Sequence, residues 1–188
     1  VQKLMFDCRR DVEALSSQMQ IAPRGVMDLQ LMQTALQWKQ RGVNRRSGMQ
    51  YVLKNRCQVE RQEGDSAVSA AMTLGNRPVW DVRPLPDHFL EYAADDVRHI
   101  LVMADKMLAP NEELVPAVDR LTQHYVDHYS TGVVPCVAEA DPQPHVVDTQ
   151  WLERYVGPPG TCNFCGQKGH QESECFKKSS APRKCSHC

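Results

Sequence analysis

No signal peptide opens this chain, and no apolar run in it is long enough to span a bilayer. An excess of charge is also missing. The 188 residues carry a formal net charge of −1, which excludes a polycation that would coat nucleic acid indiscriminately. A disulfide framework is absent as well: five of the eight cysteines fall in the last 27 residues at metal spacings, while Cys8, Cys57 and Cys136 are scattered without a pairing pattern. The expectation is a soluble intracellular protein in a reducing compartment, with no membrane partner. A hydrophobic content of 41% and this length allow one medium domain with an appendage.

The sharpest motif lies near the C-terminus, where Cys162, Cys165, His170 and Cys175 stand at C-x2-C-x4-H-x4-C spacing. Three thiolates and an imidazole can close a tetrahedron around one zinc ion and leave no open position, so this site is expected to be structural. Gly166 and Gly169 lie where so tight a loop needs φ > 0 or close backbone approach. The pattern is similar to the retroviral-type zinc knuckle, which implies a grip on single-stranded nucleic acid. Its places for stacking are poorly filled, with Asn163, Gln171 and Glu172 where apolar residues are usual. Phe164 is its ring, and Lys168, Lys177 and Lys178 are expected to assist through the backbone.

Upstream, the order is α/β. Residues 1–6 read as a strand that begins abruptly, as in a chain cut mid-domain. A turn follows, then a helix from Asp11, a second short strand near 25–27, and a helix N-capped by Asp28 carrying Leu31, Met32, Ala35 and Leu36. Residues 42–77 read as a mobile insertion with one short helix at 49–57. Phe89, Ala93, Val97, Ile100, Leu101, Ala104 and Leu108 form a stripe at helical spacing, which predicts one core-facing helix over 87–108. Another helix is expected over 113–129, with Pro116 in its first turn. The organisation is then a domain over 1–129, a Pro/Gly-rich linker over 130–161, the knuckle over 162–175 and a basic tail over 176–188. Within the linker, Trp151 to Tyr155 is either a docking segment or an incidental apolar cluster. Cys185 and Cys188 have the spacing of the first half of a second knuckle.

Charge is segregated. Residues 39–61 hold seven basic side chains, Arg45, Arg46, Lys54 and Arg56 among them, against one acid, whereas 81–119 hold nine acids against three basic residues. A basic segment can hold phosphates and an acidic one divalent cations, or both can simply be solvated surfaces. On the 87–108 helix, Tyr92 and Asp96 are four apart and project from one face.

The run Trp80-Asp-Val-Arg-Pro-Leu85 leading into Tyr92-Ala-Ala-Asp-Asp96 resembles the third motif of the ribonuclease D-like 3′–5′ exonucleases, the tyrosine branch of the DEDD superfamily. Residues 3–15, with Asp11 near a helix start, resemble the second motif, and 25–31 the strand-to-helix step whose aspartate, here Asp28, serves the turn. The resemblance implies a ribonuclease H-like fold, incomplete at the N-terminus because the second motif begins at Val1 and the first, Asp-x-Glu, lies upstream of it in the family. It implies Asp11 and Asp96 as ligands of Mg²⁺ or Mn²⁺, and Tyr92 as the residue that orients the attacking water. Arg45, Arg46, Lys54 and Arg56 would guide the strand of single-stranded RNA or DNA. The competing expectation is an inactive scaffold of the same fold that binds RNA or protein.

Overall fold

Two short strands, β1 (Lys3–Met5) and β2 (Val26–Asp28), pair in parallel with Lys3, Leu4 and Met5 opposite Val26, Met27 and Asp28. Parallel neighbours need a crossover, and helix α1 (Arg9–Met19) supplies it. Lys3 also takes the Gly25 carbonyl through its backbone N–H at 2.6 Å and the Arg24 carbonyl through Nζ at 2.9 Å, which ties the return loop to the start of β1. This computed structural model describes residues 2–60, 68, 80, 82–130, 145–161 and 165–168.

β2 runs straight into α2 (Leu29–Arg41), the central helix. Asp28 caps it by accepting from the backbone N–H groups of Gln30 and Leu31, and Gly42 ends it at φ +68°, a left-handed turn natural to glycine. Its apolar side chains Leu29, Leu31, Met32, Ala35 and Leu36 are buried, and so are the polar Gln30, Gln33 and Thr34. The polar ones are tolerated because they are bonded. Thr34 Oγ1 donates to the Gln30 carbonyl, Gln30 Nε2 to the Ser47 carbonyl, and Gln33 accepts from Arg56.

The short helix expected over 49–57 is present with a change of pitch: α3 (Met49–Val52) widens into a π-helical turn, Leu53–Cys57. Over 42–60 the segment expected to be a mobile insertion is instead pinned. Asn44 and Val147 exchange hydrogen bonds, the Arg46 N–H reaches the His145 carbonyl, and Arg45 bridges to Val146. Backbone partners about a hundred residues away supplied that order, and no local pattern announced them.

The single helix expected over 87–108 is two, α4 (Asp87–Arg98) and α5 (Ile100–Met107), broken at His99. The break resets which face meets the core. Phe89, Met103, Ala104 and Met107 are buried, but Val97 and Leu101, assigned to the core stripe, are 62% and 70% exposed. α5 packs against β1, α2 and the π-helical turn. A 3₁₀ turn (Ala109–Asn111) then leads to α6 (Val115–Ser130), whose face of Val118, Leu121, Tyr125, Val126 and Tyr129 lies on α1, α2 and β2.

Within 130–161, expected as a linker, Thr149–Tyr155 form helix α7, capped by Asp148, and pack on α6. Of the two readings left open for this stretch, docking is the one found. Val147 and Leu152 are fully buried, and Trp151 sets its ring edge-on to His124 and Tyr125 at centroid distances of 4.4 and 5.2 Å. The prolines and glycines that read as linker flank the helix. Those at 157–160 carry the chain across the end of α2, where Trp38 Nε1 donates to the Gly157 carbonyl and the Gly160 N–H to the Trp38 carbonyl, each at 2.8 Å.

Candidate active site

The site begins with Asp28, a carboxylate that is 1% exposed at the C-terminal end of β2. Besides capping α2, it accepts backbone hydrogen bonds from Asp7 (3.1 Å) and Cys8 (2.8 Å), and its own N–H donates to Thr122 Oγ1 on α6. Burial raises its carboxyl above the usual range, while the N–H donors of Cys8 and Asp7 pull it back toward the ionised form. Asp28 therefore fixes the turn between β1 and α1 from across the sheet. Its cap on α2 serves the strand-to-helix step, as expected of it, and the hold on the β1–α1 turn comes in addition.

The turn needs such support. Asp7 has φ +62°, an uncommon conformation for a residue with a side chain, and Arg9 brackets its carboxylate with Nε at 2.6 Å and Nη2 at 2.9 Å. Cys8 is completely buried; desolvation first, and then the charge of Asp28, push its thiol far above its ordinary value, so it stays protonated. Asp11 follows in the first turn of α1, with its side chain open to solvent. Desolvation by the surrounding protein, and next the neighbouring Asp7, raise its carboxyl above the usual range. A cation would relieve the repulsion between these two carboxylates.

Tyr92 and Asp96 lie one turn apart on α4, both half-buried. Asp95 beside them is engaged along the helix by Arg98 at 3.6 Å and His99 at 3.7 Å. α4 leads directly into α5, and α5 packs against β1, the strand whose end feeds the turn that carries Asp11. Among the described residues, no three histidines, cysteines or acidic side chains converge closely enough to hold a metal ion. Asp11 and Asp96 each carry hard oxygen donors of the kind Mg²⁺ and Mn²⁺ prefer.

The four basic residues expected to guide a strand divide into pairs. Arg45 and Lys54 are exposed, whereas Arg46 and Arg56 are half-buried and engaged inside the fold. Arg46 Nη2 donates to the Tyr125 hydroxyl at 2.9 Å and Arg56 Nε to Gln33 Oε1 at 3.0 Å. Of the knuckle residues, Cys165 is half-buried and Lys168 exposed, in a turn closed by a Thr161–Lys168 bridge. Gly166 there has φ +70°, the left-handed conformation expected of it. Cys162, Phe164, His170 and Cys175 lie outside the described residues, as do Lys177, Lys178 and the Cys185–Cys188 pair.

Two residues near the site escaped the sequence reading. Arg9 clamps Asp7, and a basic residue two positions after an aspartate in a turn was the available signal. Trp80 lies against Tyr92, with ring centroids 6.4 Å apart, and had been noted only as part of a motif.

A family profile described as 3′–5′ exonuclease matches residues 1–110. The chain is 61% identical to a solved structure, the crystal structure of Trypanosoma brucei RNase D, with a TM-score of 0.88, covering all of this chain and 64% of that one. It is 59% identical, with a TM-score of 0.85, to the crystal structure of Trypanosoma brucei RNase D in complex with RNA U12, covering all of this chain and 62% of that one. It thus spans less than two thirds of the length of these relatives. No match was found among curated proteins.

Proposed function

Because this chain belongs to the 3′–5′ exonuclease family and is RNase D-like, we propose that it forms part of an enzyme that removes nucleotides from the 3′ end of single-stranded RNA. The observation that carries the reading is the pair Tyr92 and Asp96, one turn apart on α4 within a fold shared at 61% identity with an RNase D. The choice of RNA over DNA rests on the related RNase D having been crystallised with RNA U12.

Divalent ions, when bound, supply a nucleophile at neutral pH and stabilise the charge that grows on the phosphodiester. The chain's own residues do the rest. Asp11 and Asp96 would hold the ions through their carboxylate oxygens. Asp28 stays away from the chemistry and keeps the turn before α1 rigid, so that Asp11 keeps its place. Tyr92 orients the attacking water from the α4 face. Arg45 and Lys54, both exposed, draw in the strand's phosphates, while Arg46 and Arg56 act through packing as much as through charge. Cys162, Cys165, His170 and Cys175 bind a structural zinc, and Phe164 and Lys168 add weak contacts to nucleic acid.

The test is digestion of a 3′-exposed RNA oligonucleotide by the full-length protein with Mg²⁺ or Mn²⁺. Stepwise shortening is expected, abolished by Asp96→Ala with binding nearly intact. Equal digestion by variant and parent refutes the assignment, and binding without shortening in both favours an inactive RNA-binding scaffold.

A further inference from the structure

The segment before α4 folds back onto the helix at one side chain. Arg83 Nη1 donates to the carbonyls of Trp80 (2.6 Å) and Val82 (2.8 Å), which ties Arg83 back to Trp80. The Pro86 carbonyl then accepts the N–H groups of Phe89 and Leu90 and starts the helix. As a result the indole of Trp80 comes to rest on the α4 face formed by Phe89 and Tyr92, three residues apart. Its ring meets Phe89 edge-on, 5.3 Å between centroids and 67° between planes, and flanks Tyr92 at 6.4 Å and 50°. Phe89 is buried and provides the fixed floor; Trp80 remains 38% exposed.

An indole left so open contributes less to the core than its size allows, yet it occupies one flank of the half-buried Tyr92. A tyrosine ring swings on two side-chain torsions, and a neighbour on its flank removes part of that freedom. Catalytic groups are sensitive to this, since small misplacements of a positioned group are costly in rate.

We propose that Trp80 is a positioning residue for Tyr92: held by Arg83 and seated on Phe89, it limits the swing of the phenol ring and so fixes its place beside Asp96. The inference rests on the site reading above and adds to it a residue that touches neither metal nor, by this account, substrate. Trp80 acts through Tyr92, so its effect should vanish when Tyr92 has no hydroxyl to aim.

The experiment measures single-turnover cleavage and binding of a 3′-exposed RNA oligonucleotide by full-length protein with Mg²⁺. Trp80→Ala, and Trp80→Leu as a bulkier variant that keeps apolar packing, are each expected to slow cleavage about tenfold with affinity changed less than about twofold. Trp80→Phe should recover most of the rate. In a Tyr92→Phe background, Trp80→Leu should add less than about a twofold loss, the signature of two residues acting as one unit. Multiplicative losses in the double variant, or weakened binding at unchanged rate, overturn the proposal. The two readings fail differently. An inactive parent, or a Tyr92→Phe variant as fast as the parent, sinks the site assignment and this inference with it. A slow Tyr92→Phe variant together with a Trp80→Leu variant of parental rate sinks this inference alone.

Discussion

Asp28 Oδ2 accepts a 2.8 Å hydrogen bond from the buried backbone N–H of Cys8, joining positions 20 residues apart in sequence. The same carboxylate caps α2 and holds the N–H of Asp7, so one side chain fixes a helix start and the turn that leads to Asp11. Asp28→Ala should therefore destabilise the domain by about 3 kcal/mol or more, since it orphans several buried donors at once. Urea denaturation followed by circular dichroism reads the loss; a change below about 1 kcal/mol would show that the turn holds without it.

Gly160 supports a second prediction. A Cβ there would overlap the Lys39 carbonyl group, 2.7 Å from its carbon, and would crowd the Gln40 carbonyl carbon at 2.9 Å. Gly160→Ala should lift the 157–161 segment off the end of α2, cost about 2 kcal/mol, and loosen the helical backbone at the exposed Arg154 enough for trypsin to cut it. Gly48, where an added Cβ meets nothing within 4 Å, is the control and should tolerate alanine. Unchanged trypsin resistance in Gly160→Ala would mean that α7 is held by its contacts with α6 alone.

The pH dependence follows from His124, between α6 and α7. Burial first, then the charges of His128 and Arg154, hold its imidazole below its ordinary value of 6.5; Asp127 and Asp148 act the other way. Its Nε2 is buried with no hydrogen-bond partner among the described residues, and the rings of Trp151 and Tyr155 lie against it. In the unfolded chain the ring takes a proton near pH 6.5, and in the folded chain only at lower pH. Between those values the unfolded state binds more protons, so this contribution is intact above 6.5 and is lost as pH falls through the window below it. His124→Gln should lose less thermal stability than the parent between about pH 7.5 and about pH 5; equal losses would assign the acid sensitivity elsewhere.

On α5, beyond the break at His99, the stripe residue Leu101 and its neighbour Met103 exchange the places that the apolar pattern gave them. Leu101 is 70% exposed and Met103 is fully buried. Leu101→Lys should change stability by less than about 0.5 kcal/mol, whereas Met103→Ala should cost about 2–5 kcal/mol. Thermal melts of both variants check this, and the reverse ranking would place α5 in the rotated register that the apolar stripe implied.

What the sequence determined by itself was whatever depends on near neighbours along the chain. Asp28 as an N-cap, Pro116 in a first turn and the Tyr92–Asp96 pair are spacings of a few residues, and helical geometry converts such spacings directly into positions. The ordered motifs around Asp11 and Tyr92 carried the fold class for the same reason, and a profile match over residues 1–110 agrees with it. Tertiary structure decided what depends on remote partners. The exposure of Leu101 goes with the helix break at His99, the docking of α7 with α6 and the indole hydrogen bond from Trp38 to Gly157, and the division of the basic residues with Tyr125 and Gln33 as partners of Arg46 and Arg56. A helix pattern states which residues share a face but not what that face will meet, because the partner surface is assembled from segments far away in the chain.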